Sequence, residues 1–422
     1  MNPRHAGTET ADTLIRSFVP LTLQYQYVPE QDISSSVVGQ NNVTLLWIDV
    51  AGFTPLCKRL MSDPVNGVEK ITGMLRHHYD HVLAQVAAHG GEPLFFAGDG
   101  VMVAWPGSRF HGSNGALLAI SCAQSIMSTR TTVNDKAEPL SLHLIVSSGA
   151  WHLSKLESAH EKLLVSFFGD AFTDLSLASK IKAPNQVLLS NNLDAYLPES
   201  LTREPLGPNA QVVTGMAVVN ELPGISLPTL SEQGLSEMKL FIPRTLSFPL
   251  NEEHLKWKAE IRPVTIVFLR LPNIGNTSEE NLQRLKRFAE LATPLVTKYD
   301  GLLNQLWMDE KESNMLICFG PPPSAHFDNA DRAVRMGFEI HHLLRRSGIH
   351  NSIGISSGMA YCGIIGNNLF RQYTVIGDVV NLAAHIAGIK RNEIFCDKST
   401  YVIANKSVNF SGQVMASVRG RT

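Results

Sequence analysis

One pattern of residues occurs twice in this chain, and that duplication restricts the fold more than any other feature. Val43-Thr44-Leu45-Leu46-Trp47 returns as Val264-Thr265-Ile266-Val267-Phe268, Ser147-Ser148-Gly149 as Ser356-Ser357-Gly358, and Phe168-Gly169-Asp170 as Ile376-Gly377-Asp378. The first run of each copy is β-rich and apolar, as a buried strand is, and a long amphipathic segment follows it, at about 64–88 and 280–299. Gly90-Gly91 and Asp300-Gly301 stop the two helices. In the first copy, residues 93–105 then read as two strands joined by a tight turn carrying Asp99, followed by a helix over 115–127, a strand over 142–148 and a helix from about 171 to 181. The second copy keeps a strand at 315–319 ending in Gly320-Pro321-Pro322. The order β-α-β-β-α-β, with extra elements, makes this an α+β module used twice.

The resulting division is an N-terminal extension (1–37) with one helical candidate at 11–18, a first module (38–198), a linker rich in Pro, Gly and Ser (199–260), a second module (261–405) and a tail (406–422). A chain of 422 residues with 44% apolar and 18% charged residues can pack two such cores. Its formal net charge of −2 gives no basic footprint, which argues against a nucleic-acid partner. No run reaches the roughly 18 apolar residues of a membrane span and no signal pattern opens the chain, so a cytosolic location is expected. The five cysteines, Cys57, Cys122, Cys318, Cys362 and Cys396, have no metal-ligand spacing and read as reduced, mostly buried thiols.

The chemistry centres on two carboxylates. Asp49 and Asp99 both sit at exits of apolar strands in Gly-containing turns, where backbone can approach a ligand closely. Mg²⁺ takes oxygen ligands, commonly one or two carboxylates plus substrate phosphates, and the turn Ala51-Gly52-Phe53-Thr54 leads into a helix whose free N–H groups can cradle phosphate. Taken alone, the pair reads equally well as turn or cap aspartates. The second copy departs at both places, with Arg270 for Asp49 and, by offset, Met315 for Asp99. It carries instead Asn381 and His385, spaced i, i+4 on one helix face, where the first copy has Thr173 and Leu177. Each copy thus keeps the half of a site that the other lacks, as in an intramolecular heterodimer with one working cleft.

Leu-Trp-Ile-Asp49-Val-Ala-Gly-Phe-Thr, Phe-Phe-Ala-Gly-Asp99-Gly-Val-Met-Val-Ala-Trp and Tyr-Thr374-Val-Ile-Gly-Asp-Val-Val-Asn381-Leu-Ala-Ala resemble the class III nucleotidyl cyclases. Within that family the chain is most similar to soluble adenylyl cyclases with tandem, unequal catalytic domains, over roughly residues 38–195 and 261–400. The resemblance implies a ferredoxin-like βαββαβ core in each module and head-to-tail docking of the two. It implies that Asp49 and Asp99 bind two ions, Mg²⁺ or Mn²⁺, and that ATP is converted to cyclic AMP and pyrophosphate. It further implies that Gly52, Phe53 and Thr54 lie along the phosphates, that Lys311 and Thr374 face the base, and that Asn381 positions the ribose.

His385 stands where the family's second domain carries an arginine. Arginine is always charged and forks onto phosphate, whereas imidazole, with a reference pKa near 6.5, is only partly charged at neutral pH. That departure favours a slow enzyme, or a degenerate cyclase-homology module that binds nucleotide or regulates an attached or partner protein. A regulatory region beyond residue 422 is a further expectation. The basic residues that bicarbonate-responsive members use fall here on Phe95 and Ser176, so bicarbonate activation is not expected. His77 and His81, one turn apart, read as a solvated helix face before they read as a zinc site, and Gly363-Ile364-Ile365-Gly366 reads as a hairpin turn.

Overall fold

The computed structural model describes residues 11–27, 37–38, 42–61, 63, 66–110, 114–129, 140–156, 164–242, 246, 255, 259–272, 279–308 and 312–416. In chain order the first half holds α1 (Ala11–Ser17), α2 (Leu21–Gln24), β1 (Val37–Val38), β2 (Asn42–Val50), α3 (Phe53–Met61), α4 (Gly67–Ala88), β3 (Glu92–Ala97), β4 (Gly100–Pro106), α5 (Asn114–Ser128), β5 (Leu142–Ala150), β6 (His152–Leu156), β7 (Leu164–Phe168), α6 (Asp170–Ala178) and β8 (Val187–Ser190). Then come β9 (Arg203–Pro205), β10 (Ala210–Val213) and α7 (Glu232–Met238). The second half holds β11 (Glu260–Pro272), α8 (Glu279–Lys298), β12 (Leu302–Met308), β13 (Glu312–Phe319), α9 (Asn329–Arg346), β14 (Ser352–Gly366), β15 (Arg371–Ile376), α10 (Asp378–Ala387), β16 (Ile394–Cys396) and α11 (Lys398–Ala404).

Both halves build the same sheet. The strand order β3-β4-β2-β5-β8 is repeated as β12-β13-β11-β14-β16, antiparallel except for the parallel closing pairs β5/β8 and β14/β16. The first four strands with their two intervening helices are the expected βαββαβ unit. A hydroxyl pair marks the same rung in each copy: Thr44 Oγ1 lies 2.7 Å from Ser148 Oγ, and Thr265 Oγ1 lies 2.9 Å from Ser357 Oγ.

Alternation along β2 explains why the sheet has two apolar faces. Leu46, Ile48 and Val50 pack beneath α4 and α5 with Ile71, Leu75, Val82 and Leu118, while Val43 and Leu45 face α6 and α1. The N-terminal extension is part of that second face, with Leu14, Ile15, Phe18 and Leu23 buried there. Residues 199–260, expected as a linker, also belong in part to the first module. β10 pairs with β8, and β9 with β10, so a polar stretch without apolar periodicity covers what would be a bare sheet edge. Met238, Ile242, Leu246 and Leu255 continue the same core. The helix expected from Pro64 begins at Gly67, after a turn in which the Asp63 carboxylate accepts the Asn66 N–H at 3.1 Å.

The two halves exchange residues at equivalent points. Phe168, at the end of β7, is buried in the helix-side core of the second half, and Ile376, its repeat counterpart at the end of β15, is buried in the helix-side core of the first. Phe370 stacks on Phe96 with ring centroids 5.5 Å apart.

Candidate active site

Asp49 is the penultimate residue of β2, and the turn after the strand needs Gly52 at φ +75, a left-handed conformation; a Cβ there would meet nothing within 4 Å, so the turn opens onto free space. Asp99 occupies the tip of the β3/β4 hairpin beside Gly98 at φ +65, which likewise faces open space. Since Ile48 pairs with Val101, the next step brings the strand end carrying Asp49 alongside that tip.

The charge of one aspartate acts on the other. Burial pushes the Asp49 carboxyl well up, opposed by the Lys182 charge and the Val50 N–H. Burial pushes Asp99 up further, and the negative charge of Asp49 adds to it. Two carboxyls pushed up by burial, Asp99 also by the charge of Asp49, form a donor set a divalent cation would relieve, and hard oxygen ligands in that number suit Mg²⁺ or Mn²⁺ when substrate oxygens complete the shell. Among the described residues no group of three or more His, Cys, Asp and Glu side chains forms a separate metal cage.

Of the turn residues, Phe53 is buried in the core at 3% exposure, so only its backbone can face a phosphate. The Thr54 side chain and the whole of Lys311 lie outside the described residues. In the second module Thr374 is buried on β15, while Asn381 and His385 are both exposed, one turn apart on α10, whose other face buries Val379, Leu382, Ala383 and Ile386. Cα atoms of α10 come within 8 Å of α3, so the helix bearing Asn381 adjoins the helix that follows the Gly52 turn.

The register revises one correspondence. Arg270 pairs with Asn314, as the continuation of β2 would set Asp49 beside Gly100, so the ladder counterpart of Asp99 is Ser313 and not Met315. The hairpin tip differs in length between the copies, and an offset counted along the chain cannot see that. The second module is no less devoid of the aspartate pair. Arg270 fills the place, donating to Glu312 at 3.2 Å and to the Ala384 carbonyl at 2.8 Å.

Two residues escaped the sequence reading. His143 pairs with Asp49 across β2 and β5, on the same sheet face, and its pKa is lowered by burial and by Lys182. Lys182, after α6, supplies the cation that acts on both. Neither belongs to a recognisable motif. Cys57 is buried, and burial with Asp99 nearby pushes its thiol to about 12.

A family model, the adenylate and guanylate cyclase catalytic domain, matches residues 258–422. The second half is thus similar to a cyclase catalytic domain. Homology extends further: adenylate cyclase type 10 of Homo sapiens is 26% identical over 405 residues, covering 87% of this chain and 25% of that protein. The rabbit (Oryctolagus cuniculus) protein of the same name is 25% identical over 394 residues, covering 85% of this chain and 24% of that one. The chain therefore spans about a quarter of the length of these curated relatives. Among solved structures, a class III adenylyl cyclase-like ATP-binding protein from Pseudomonas aeruginosa matches at a TM-score of 0.59 and 13% identity over 94% of this chain and 93% of that one. That match concerns the fold, and it runs through both halves. No helix among the described residues is long and apolar enough to cross a membrane.

Proposed function

We propose that the chain is a cytosolic nucleotidyl cyclase that converts ATP to cyclic AMP and pyrophosphate, its two modules forming a pseudo-heterodimer around one cleft. The observation that carries this reading is the pair Asp49 and Asp99, held together at one module's strand ends, with the Asn381 helix of the other module alongside. In the reaction the ribose 3′-oxygen forms a bond to the α-phosphorus, the bond from that phosphorus to the bridging oxygen breaks, pyrophosphate leaves and the hydroxyl proton passes to solvent or base. Two divalent ions held by Asp49 and Asp99 would supply charge neutralisation along the triphosphate and acidify the attacking hydroxyl. The open turn at Gly52 and Phe53, with Thr54, offers backbone N–H groups to the phosphates. Asn381 orients the ribose, His385 faces the phosphates, and Thr374 with Lys311 selects the base. Phe95, stacked on Phe167 at 6.1 Å, offers no cation to bicarbonate.

A second reading has one specific observation in its favour. His385 replaces a forked, permanently charged donor, and losing one such preorganised donor typically costs about 2.7–4 kcal/mol of transition-state stabilisation. A module that binds ATP without turning it over would tolerate that loss. The deciding experiment incubates the protein with ATP, GTP, CTP or UTP and Mg²⁺ or Mn²⁺, with Asp99→Ala as the blank. Cyclic product that disappears in the blank establishes the cyclase and its base; metal-dependent ATP binding without product establishes the second reading.

A further inference from the structure

Arg270 stands on β11 at the rung that Asp49 holds on β2, and its guanidinium reaches two elements of the second module at once. Nη2 donates to the Ala384 carbonyl of α10 at 2.8 Å, and Nη1 donates to a Glu312 carboxylate oxygen of β13 at 3.2 Å. The side chains of Arg270 and Glu312 are both mostly withdrawn from solvent. Cζ of Arg270 lies over the Phe268 ring, 5.5 Å from its centroid, and that ring meets Trp307 of β12 edge-on at 5.5 Å. Ordering so long a side chain costs rotamer entropy, which these contacts offset.

The contact with α10 answers a local gap in the helix. In an unbroken α-helix the Ala384 carbonyl would accept from Gly388, four residues on. Here the Gly388 N–H turns instead to the His385 carbonyl at 3.0 Å, and Arg270 takes the open acceptor. A permanent cation at that place also suits the negative end of the helix dipole. Ala384 precedes His385 and lies three residues after Asn381, so the bond holds the turn that carries both. Glu312 opens β13 and directly follows Lys311 in the chain.

We infer that Arg270 is a positioning residue for base selection, one that sets the spacing between the Asn381 turn of α10 and the start of β13. The inference rests on the cyclase reading above, in which Asn381 orients the ribose and Lys311 selects the base. Base and ribose are covalently joined, so the groups that hold them must keep one separation, and a misplacement of about 1 Å can cost roughly 10²-fold in rate. A planar, permanently charged fork suits that task. An aspartate at this rung, as in the first module, would meet Glu312 and the helix carbonyl with a negative charge of its own.

The test measures kcat/KM for ATP and for GTP with Mn²⁺ in wild type, Arg270→Gln, Arg270→Lys and Glu312→Gln, and takes the ratio of the preferred to the other nucleotide. That ratio does not depend on how much of a preparation is folded, so a merely structural arginine would leave it unmoved. The expected result is a fall of roughly tenfold in Arg270→Gln, a smaller fall in Arg270→Lys, which keeps the charge without the fork, and a fall in Glu312→Gln, which spares the helix contact. Mn²⁺ affinity, set by the aspartates of the other module, should stay as in wild type. A wild-type ratio retained in Arg270→Gln, or in Glu312→Gln where Arg270→Gln does not fold, overturns the inference and leaves the cyclase reading standing. A wild type with no base preference does the same, since there is then no selection to position. Where wild type binds nucleotide without turnover, the ratio is read from the two Kd values. Wild type that neither binds nor turns over ATP overturns the cyclase reading and this inference together.

Discussion

The side-chain amide of Gln372 bonds both backbone groups of Phe96, accepting its N–H at 2.9 Å and donating to its carbonyl at 3.2 Å. Gln372 belongs to β15 of the second module and Phe96 to β3 of the first, three residues before Asp99. One side chain thereby does for β3 what a neighbouring strand would do. It fixes the strand that leads into the hairpin carrying Asp99.

Gln372→Ala removes two hydrogen bonds and leaves two backbone groups to be hydrated, so it should lower stability by about 1–3 kcal/mol. Turnover should fall by more than the loss of folded protein accounts for, because the Asp99 hairpin loses its outside support. Urea denaturation and cyclic nucleotide formation, measured on the same preparation, separate the two effects.

Asp99→Asn should abolish metal-dependent turnover and, in the absence of metal, stabilise the fold. In the wild type, burial and the charge of Asp49 both raise the Asp99 pKa, and a neutral amide there relieves that conflict. A gain on the order of 1 kcal/mol in metal-free buffer is expected, shrinking as Mg²⁺ is added and stabilises only the wild type. A variant no more stable than wild type without metal would show that the two charges are not in conflict.

The same pair sets a pH dependence for metal. Ligating carboxylates must be deprotonated, and both carboxyls are pushed upward, so Mn²⁺ affinity should fall as the solution is acidified. Where one proton is displaced per ion bound, the Kd rises about tenfold per pH unit. Titration of Mn²⁺ by calorimetry at several pH values reads that slope, and a flat profile above pH 4 would count against a raised pair.

His385→Arg restores a forked, permanently charged donor at an exposed helical position, where the longer side chain has room. If the proposed cleft is catalytic, kcat should rise by up to roughly 10²–10³-fold with little change in KM. Steady-state kinetics with ATP decide it, and an unchanged kcat would place His385 away from the reacting phosphates.

His78 is buried on α4 at 4% exposure, and burial lowers its pKa from 6.5 to about 4. Between those values the unfolded chain carries a proton on this imidazole that the folded chain does not, so stability falls as pH falls from 6.5 towards 4. The contribution is roughly 3 kcal/mol across that window. Denaturation curves at pH 7 and pH 4.5 for wild type and His78→Leu should show the difference shrinking, and turning in the variant's favour, at the lower pH.

Much of this fold could be read from the chain because each strand at its centre is an apolar run, and β2 and β11 carry the same kinds of residue at the same rungs. The edge strands β9 and β10 were hidden, since Arg203-Glu204-Pro205 has no apolar alternation and pairs only with β10, which in turn pairs because β8 offers an edge. Asp49, Asp99 and Asn381 were visible as members of motifs. His143 and Lys182 were not, because each reaches the site as a single side chain, through strand register or a loop after α6. The Ser313 counterpart of Asp99 was misplaced for a related reason: repeat offsets measure sequence, and hairpin tips of unequal length shift the ladder.

The reciprocal burial of Phe168 and Ile376 has a bearing on how this molecule responds to dilution. Partners that meet by diffusion come apart as their concentration drops, and any cleft they share is lost with them. Here the two halves are one chain, and the tether holds each at a high local concentration of the other however few molecules surround it. Specific activity should accordingly be independent of protein concentration down to nanomolar levels. A cell could keep very few copies of such a protein without losing any fraction of them to dissociation.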